Sequence, residues 1–90
     1  MLKTLENLIL TIRQKKTSPD EKSYTSKLLR DKNLSVEKVK EEIAELIEAV
    51  ENNSNTVHEA ADVLYHLLVY LEGNGVRIED IMLELDKRRK

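Results

Sequence analysis

Apolar residues recur at intervals of three and four through almost the whole chain, the period of an amphipathic helix rather than the alternation of a strand. Leu2, Leu5, Leu8, Ile9 and Ile12 set a first helix from about Leu2 to Lys15. Thr17-Ser18-Pro19-Asp20 breaks it, because proline lacks the N–H that a helix interior needs. A short helical segment around Ser23 to Arg30 carries Tyr24, Leu28 and Leu29. Ser35 is a good N-cap and predicts a third helix ending near Asn52-Asn53, with Val36, Val39, Ile43, Leu46 and Val50 as its seam. Thr56 is expected to cap a fourth helix running to Gly73 or Asn74, with Gly75 placed to end it. A last helix, about Ile78 to Arg89, shows Ile78, Ile81, Met82 and Leu85. No strand pattern competes, so the expected fold is all-α, a bundle of four to five helices.

The fourth helix is apolar around most of its circumference, from Val57 to Leu71, which predicts that it is largely buried. The polar stripe it retains, roughly 60° wide at about 100° per residue, holds Glu59, Asp62 and His66. Buried acids need a cationic partner, either a metal ion or a lysine or arginine. The third helix contributes Glu41-Glu42-Ile43-Ala44-Glu45. Residues three apart share a helix face, so Glu42 stacks with Glu45, and Glu59 with Asp62. The connection from Glu51 to Asn55 is short, so the two helices should pack antiparallel and bring both acidic pairs to their joined end. Converging carboxylates repel unless neutralised. A hard divalent cation with oxygen ligands does this, and Mg²⁺ is the usual one for phosphate chemistry.

Simpler readings stand beside these. Glu41, Glu42, Glu45 and Glu48 fit a solvated face equally well, and Thr56-x-x-Glu59 matches a capping box. His66 fits a hydrogen-bonded core residue as well as a ligand or proton shuttle, and His58 fits the surface.

Ninety residues suit one domain over 1–90, and a core that small gains stability by pairing with a second copy. The absence of cysteine rules out disulfides and thiolate metal sites and fits a reducing cytoplasm. A net charge of −2 gives no general attraction for nucleic acid or anionic membrane, and three tyrosines without Phe or Trp leave no stacking platform for bases. No apolar run approaches the roughly 18 residues of a membrane span. The start, Met1-Leu2-Lys3-Thr4-Leu5-Glu6, has an early acid and no small-residue cleavage site, so no signal peptide is expected. The basic run Lys87-Arg88-Arg89-Lys90 reads as a solvated helix end, where cations suit the helix dipole.

Glu-Glu-x-x-Glu followed by Glu-x-x-Asp resembles the signature of the all-α nucleotide pyrophosphohydrolases, the MazG-like and dimeric dUTPase group. Further features resemble the phosphoribosyl-ATP pyrophosphohydrolase family within it. They are Ser23-Tyr24-Thr25-Ser26-Lys27-Leu28-Leu29, Lys38-x-x-Glu41-Glu42 and Glu59-Ala60-Ala61-Asp62-Val63-Leu64-Tyr65-His66, closed by Ile78-Glu79-Asp80-Ile81 with Glu84-Leu85 and Arg88. The resemblance runs over nearly the whole chain in order. It departs at Lys40, where the family commonly has Gly, and at Asp31-Lys32-Asn33, where another Gly is usual.

The resemblance implies Mg²⁺-dependent hydrolysis of phosphoribosyl-ATP to phosphoribosyl-AMP and pyrophosphate, a step of histidine biosynthesis, by a homodimer or larger homo-oligomer. Glu42, Glu45, Glu59 and Asp62 would hold the metal, and Glu41 would be an extra ligand or the base for water. By charge, Lys27 and Lys38, with Arg30 or Lys40, would contact phosphate oxygens. Ser23, Tyr24 and Thr25 are substrate contacts by resemblance alone. A separate phosphoribosyl-AMP cyclohydrolase is an expected associate. Two alternatives stay open: a house-cleaning nucleoside triphosphate pyrophosphatase of the same superfamily, and a non-enzymatic helical oligomerisation module.

Overall fold

The computed structural model describes residues 2–89, so Met1 and Lys90, the outermost residues of the leader and basic-run readings, lie outside the described residues. Among the described residues five helices follow one another: α1 (Lys3–Thr17), α2 (Tyr24–Arg30), α3 (Lys32–Asn52), α4 (Thr56–Gly73) and α5 (Ile78–Lys87). No strand occurs among the described residues, as the period of the apolar positions predicts.

Helix α1 lays Ile9 and Ile12 inward, with Leu5 and Leu8 packed at the edge, while Leu2 stays exposed. After the Pro19 loop, α2 starts with Ser23 as N-cap, its hydroxyl accepting the Ser26 N–H. Leu28 from α2 and Leu68 and Val69 from α4 complete the core with Ile9 and Ile12. Each such side chain removed from water stabilises the fold by about 1.5–3 kcal/mol. Leu29 and Gly73 meet so closely that a Cβ at Gly73 would stand 3.0 Å from Leu29 Cδ2.

Two caps differ from expectation. The third helix starts earlier, at Lys32, because Asp31 accepts the Leu34 N–H at 3.0 Å and caps it. Ser35 therefore lies inside α3, buried. Thr56 is the first residue of α4 rather than its cap. Asn55 takes the capping position in the left-handed region, and the Thr56 hydroxyl donates to the Ala49 carbonyl.

Helices α3 and α4 form the long antiparallel hairpin of the molecule. Asn53 and Asn55 turn it with φ of 53° and 55°, values that asparagine tolerates better than most residues. The N–H groups of Asn53 and Ser54 bond back to the carbonyls of Val50 and Ala49. At the far end Gly75, φ 77°, stops α4 as expected.

Within one chain α4 is less buried than its composition predicts: Val57 is 85% exposed and Leu64 52%. On α3 the seam residues Ile43 and Val50 are also exposed, with Ile47 between them. The bundle formed by one chain covers only the half of the hairpin that faces α1 and α2.

Helix α5 has no buried residue. It is attached through Ile78, which packs on the core, and through Glu79, whose carboxylate accepts from Arg13. Of the basic run, Arg88 pairs with Glu84 and Arg89 with Asp86 on the exposed side.

Candidate functional site

The i, i+3 spacing on α3 and α4 places the acids as expected. Ligand-type atoms of Glu41, Glu42 and Glu45 lie within 4.8 Å of one another, and so do those of His58, Glu59 and Asp62. The two groups meet across the hairpin. Glu45 lies against both Glu42 and Glu59, and Asp62 is close enough to raise the proton affinity of each.

Burial is uneven within this cluster. Glu42 is 8% exposed, while Glu41 and Glu45 face solvent and Glu59 and Asp62 are half-buried. Burial is the main reason the Glu42 carboxyl is pushed up to about 7, with the neighbouring Glu45, Asp62 and Glu59 adding to it. Burial also raises Glu59, followed by the charge of Glu45. One oxygen of Glu42 and one of Glu59 are buried with no hydrogen-bond partner. Asn55 rather than Thr56 stands at the capping position, so the Thr56-x-x-Glu59 capping box does not form, and the Glu59 carboxylate lies against Glu45 instead. Among the described residues no lysine or arginine pairs with Glu42, Glu45, Glu59 or Asp62; His58, at the surface, approaches Asp62 at 3.4 Å. A pattern of i, i+4 spacing could have flagged His58 as the Asp62 partner.

Four acids, two of them with an orphaned buried oxygen and none paired with a lysine or arginine among the described residues, are a donor set of hard oxygens, which fits a divalent ion of the Mg²⁺ type.

The remaining candidates form the wall beside these acids. Lys38, half-buried on α3, holds Glu41 at 3.4 Å, and that contact raises its pKa. Tyr24 stands near Lys38, with burial raising its hydroxyl above the usual tyrosine value. Its ring stacks on Tyr65 with centroids 6.3 Å apart, and His66 meets both rings edge-on. The hydroxyls of Thr25 and Tyr65 are hydrogen-bonded. Ser23 is occupied by its capping role, while Lys27, Arg30 and Lys40 are exposed, Lys40 reaching Glu37 at 3.9 Å. Lys40 thus lies on the solvent side of α3.

The sequence reading missed a second charged site, where Arg13 joins Glu72 and Glu79. Glu72, 2% exposed, lies outside the acid cluster. The available signal was an acid in the last, apolar turns of α4, which needs a cation somewhere in the chain.

Fold and site together define an all-helical protein that gathers carboxylates on one helical hairpin. A family model described as phosphoribosyl-ATP pyrophosphohydrolase matches residues 5–89. The chain is 42% identical over 94 residues to the phosphoribosyl-ATP pyrophosphatase of Methanoregula boonei, covering 99% of this chain and 90% of that one. It is 42% identical over 88 residues to the enzyme of the same name from Methylobacterium nodulans, covering 94% and 82%. A chloroplastic histidine biosynthesis bifunctional protein of Arabidopsis thaliana is 41% identical over 92 residues, 97% of this chain but only 33% of that protein's length. This chain belongs to the phosphoribosyl-ATP pyrophosphohydrolase family.

Proposed function

We propose that this chain hydrolyses phosphoribosyl-ATP between its α and β phosphates, releasing phosphoribosyl-AMP and pyrophosphate in histidine biosynthesis. The observation that carries the reading is the pair of buried, unpartnered oxygens of Glu42 and Glu59 in a chain of this family. Glu42, Glu45, Glu59 and Asp62 would hold Mg²⁺, which when bound offsets the triphosphate charge and polarises the attacked phosphate. Glu41, exposed beside the cluster, takes the proton of the attacking water. The water oxygen bonds to phosphorus as the bridging P–O bond between the α and β phosphates breaks, and the leaving pyrophosphate keeps the electron pair. Lys38 and Lys27 bind phosphate oxygens as point charges, with Arg30 within the same helix turn as Lys27. Ser23, Tyr24 and Thr25 line the nucleotide side of the site.

Residues 1–90 act as one domain, supported by a single core that draws on α1, α2 and α4. The acting form is a homodimer or larger homo-oligomer. Support comes from the exposed Ile43, Ile47 and Val50 on α3 and Val57 and Leu64 on α4, an apolar stripe on the side of the hairpin away from the core. The bifunctional naming of relatives two to three times as long supports association with a separate phosphoribosyl-AMP cyclohydrolase, which would consume the product. Among the described residues no helix is long and apolar enough to cross a membrane, and the reading takes the cytoplasm as the compartment.

The test is pyrophosphate release from phosphoribosyl-ATP with Mg²⁺ and with EDTA, with dUTP and dCTP in parallel. Metal-dependent release from phosphoribosyl-ATP is expected. Release from the deoxynucleotides alone would overturn the substrate, and release unaffected by EDTA would overturn the metal.

A further inference from the structure

His66 is 6% exposed and makes two polar contacts, one through each ring nitrogen. Its Nδ1 lies 2.8 Å from the carbonyl oxygen of Asp62, one turn earlier on α4. Its Nε2 lies 3.0 Å from the hydroxyl of Tyr24 on α2. These contacts assign the protons. A backbone carbonyl only accepts, so Nδ1 carries the hydrogen. In a ring that carries a single hydrogen, that hydrogen is the one on Nδ1. Nε2 then offers a lone pair, and the Tyr24 hydroxyl must donate to it.

A phenol has one proton. With that proton committed to His66, the rest of the Tyr24 oxygen is lone pairs, on a side chain that remains 44% exposed. An ionised phosphate oxygen is also a bare acceptor, so the two would repel rather than bind. A group that binds Tyr24 must bring its own hydrogen, as ribose hydroxyls and the N–H groups of a purine do.

We propose that His66 is a positioning residue that fixes the Tyr24 hydroxyl as an acceptor only, so that Tyr24 binds an O–H or N–H donor of the nucleoside part of the substrate and not its phosphates. The arrangement ties nucleoside recognition on α2 to the backbone of Asp62, and it rests on the functional reading above. The sequence alone leaves His66 open between a hydrogen-bonded core residue and a ligand or proton shuttle. The geometry gives it a third role, one that moves no proton during turnover.

The test compares Tyr24→Phe, His66→Leu, His66→Gln and the Tyr24→Phe/His66→Leu double variant with the parent, each checked for folding by circular dichroism and thermal melting. In Tyr24→Phe, KM for phosphoribosyl-ATP should rise roughly five- to tenfold, the size of one hydrogen bond, with a much smaller change in kcat. His66→Leu should match it, and the double variant should be no worse than either, because both remove one interaction. His66→Gln should recover most of the loss, since its amide oxygen accepts where Nε2 does. Inorganic tripolyphosphate, a probe with phosphates and no nucleoside, should inhibit all variants equally. ¹⁵N NMR of the ring should find Nδ1 protonated and Nε2 bare. Substrates lacking a ribose hydroxyl, or carrying a purine without its exocyclic amine, then separate the two donors: the right one loses in the parent what Tyr24→Phe loses.

Weaker tripolyphosphate inhibition in Tyr24→Phe would overturn the proposal, as would additive losses in the double variant or a protonated Nε2. Folded His66→Leu with the parent KM would overturn it too. If the parent turns over no phosphoribosyl-ATP, the functional reading fails separately, and calorimetric binding of ATP to the same variants still decides the role of Tyr24.

Discussion

Two buried glutamates on neighbouring parts of the hairpin show opposite chemistry. Glu72, near the end of α4, is fully served by its own chain. Arg13 donates to both of its oxygens at 2.9 and 2.8 Å, and the Ile78 N–H adds a third bond at 3.2 Å. Lys16 reaches the Glu72 carbonyl as well. The guanidinium beside it holds the Glu72 carboxyl below the usual range despite burial. Glu42, in the middle of α3, is almost as buried yet pairs with no lysine or arginine among the described residues, and burial beside Glu45, Asp62 and Glu59 pushes its carboxyl up to about 7. A carboxylate completed by the fold stabilises the fold. One that the fold leaves unpaired weakens it unless something from outside supplies the charge.

The largest effect expected from this contrast is on turnover. Asp62→Asn and Glu45→Gln should each cut Mg²⁺-dependent pyrophosphate release at least ~100-fold while the helical signal and melting temperature stay near the parent values. Full activity in both would remove the acids from the metal site. The opposite site should respond in stability. Arg13→Met leaves the Glu72 charge buried without its partner, a change that typically costs about 3–5 kcal/mol. Urea unfolding should register it, and an unchanged midpoint would mean that Glu72 finds another partner or takes up a proton at no cost.

The pH dependence should separate the two sites further. Glu42 has a folded pKa of about 7, above its ordinary 4.5, so the folded state binds the proton more tightly. Stability of the metal-free protein should therefore fall as pH rises from about 4.5 to 7, and Mg²⁺ should restore it at pH 8. Glu72 and Glu79 are lowered by Arg13, Glu79 to about 2. Their contribution is present above the ordinary carboxylate range and is lost as pH falls below it, for Glu79 toward about 2. Thermal melts from pH 3 to 8, with and without Mg²⁺, would show both limbs, and a metal-free curve that rises through pH 7 would contradict the Glu42 assignment. The smallest effect belongs to the exposed pair Arg88–Glu84. Arg88→Ala should leave melting temperature and turnover unchanged within error, because solvent screens such pairs.

Local pattern carried much of this protein. The spacing of three and four residues was enough to find five helices. Pro19 and Gly75 located two of the breaks, and i, i+3 spacing paired Glu42 with Glu45 and Glu59 with Asp62. The N-cap assignments at Ser35 and Thr56 failed for a local reason as well. Upstream of Ser35, Asp31 accepts the Leu34 N–H and starts α3 earlier, while upstream of Thr56 the left-handed Asn55 that closes the turn already stands at the capping position, without a side-chain bond to the helix.

What the sequence determined, then, was everything that depends on neighbours within a turn or two: helix type, amphipathic faces and the stacking of acids along a face. Tertiary structure decided what each polar group meets. Arg13 finds Glu72 across 59 residues and Tyr24 finds His66 across 42. It also decided that Glu42 is buried and Glu45 is not, and that α4 keeps Val57 and Leu64 exposed in a single chain. The physical reason is that periodicity fixes direction around one helix axis, whereas burial and hydrogen bonding depend on which other helix arrives there.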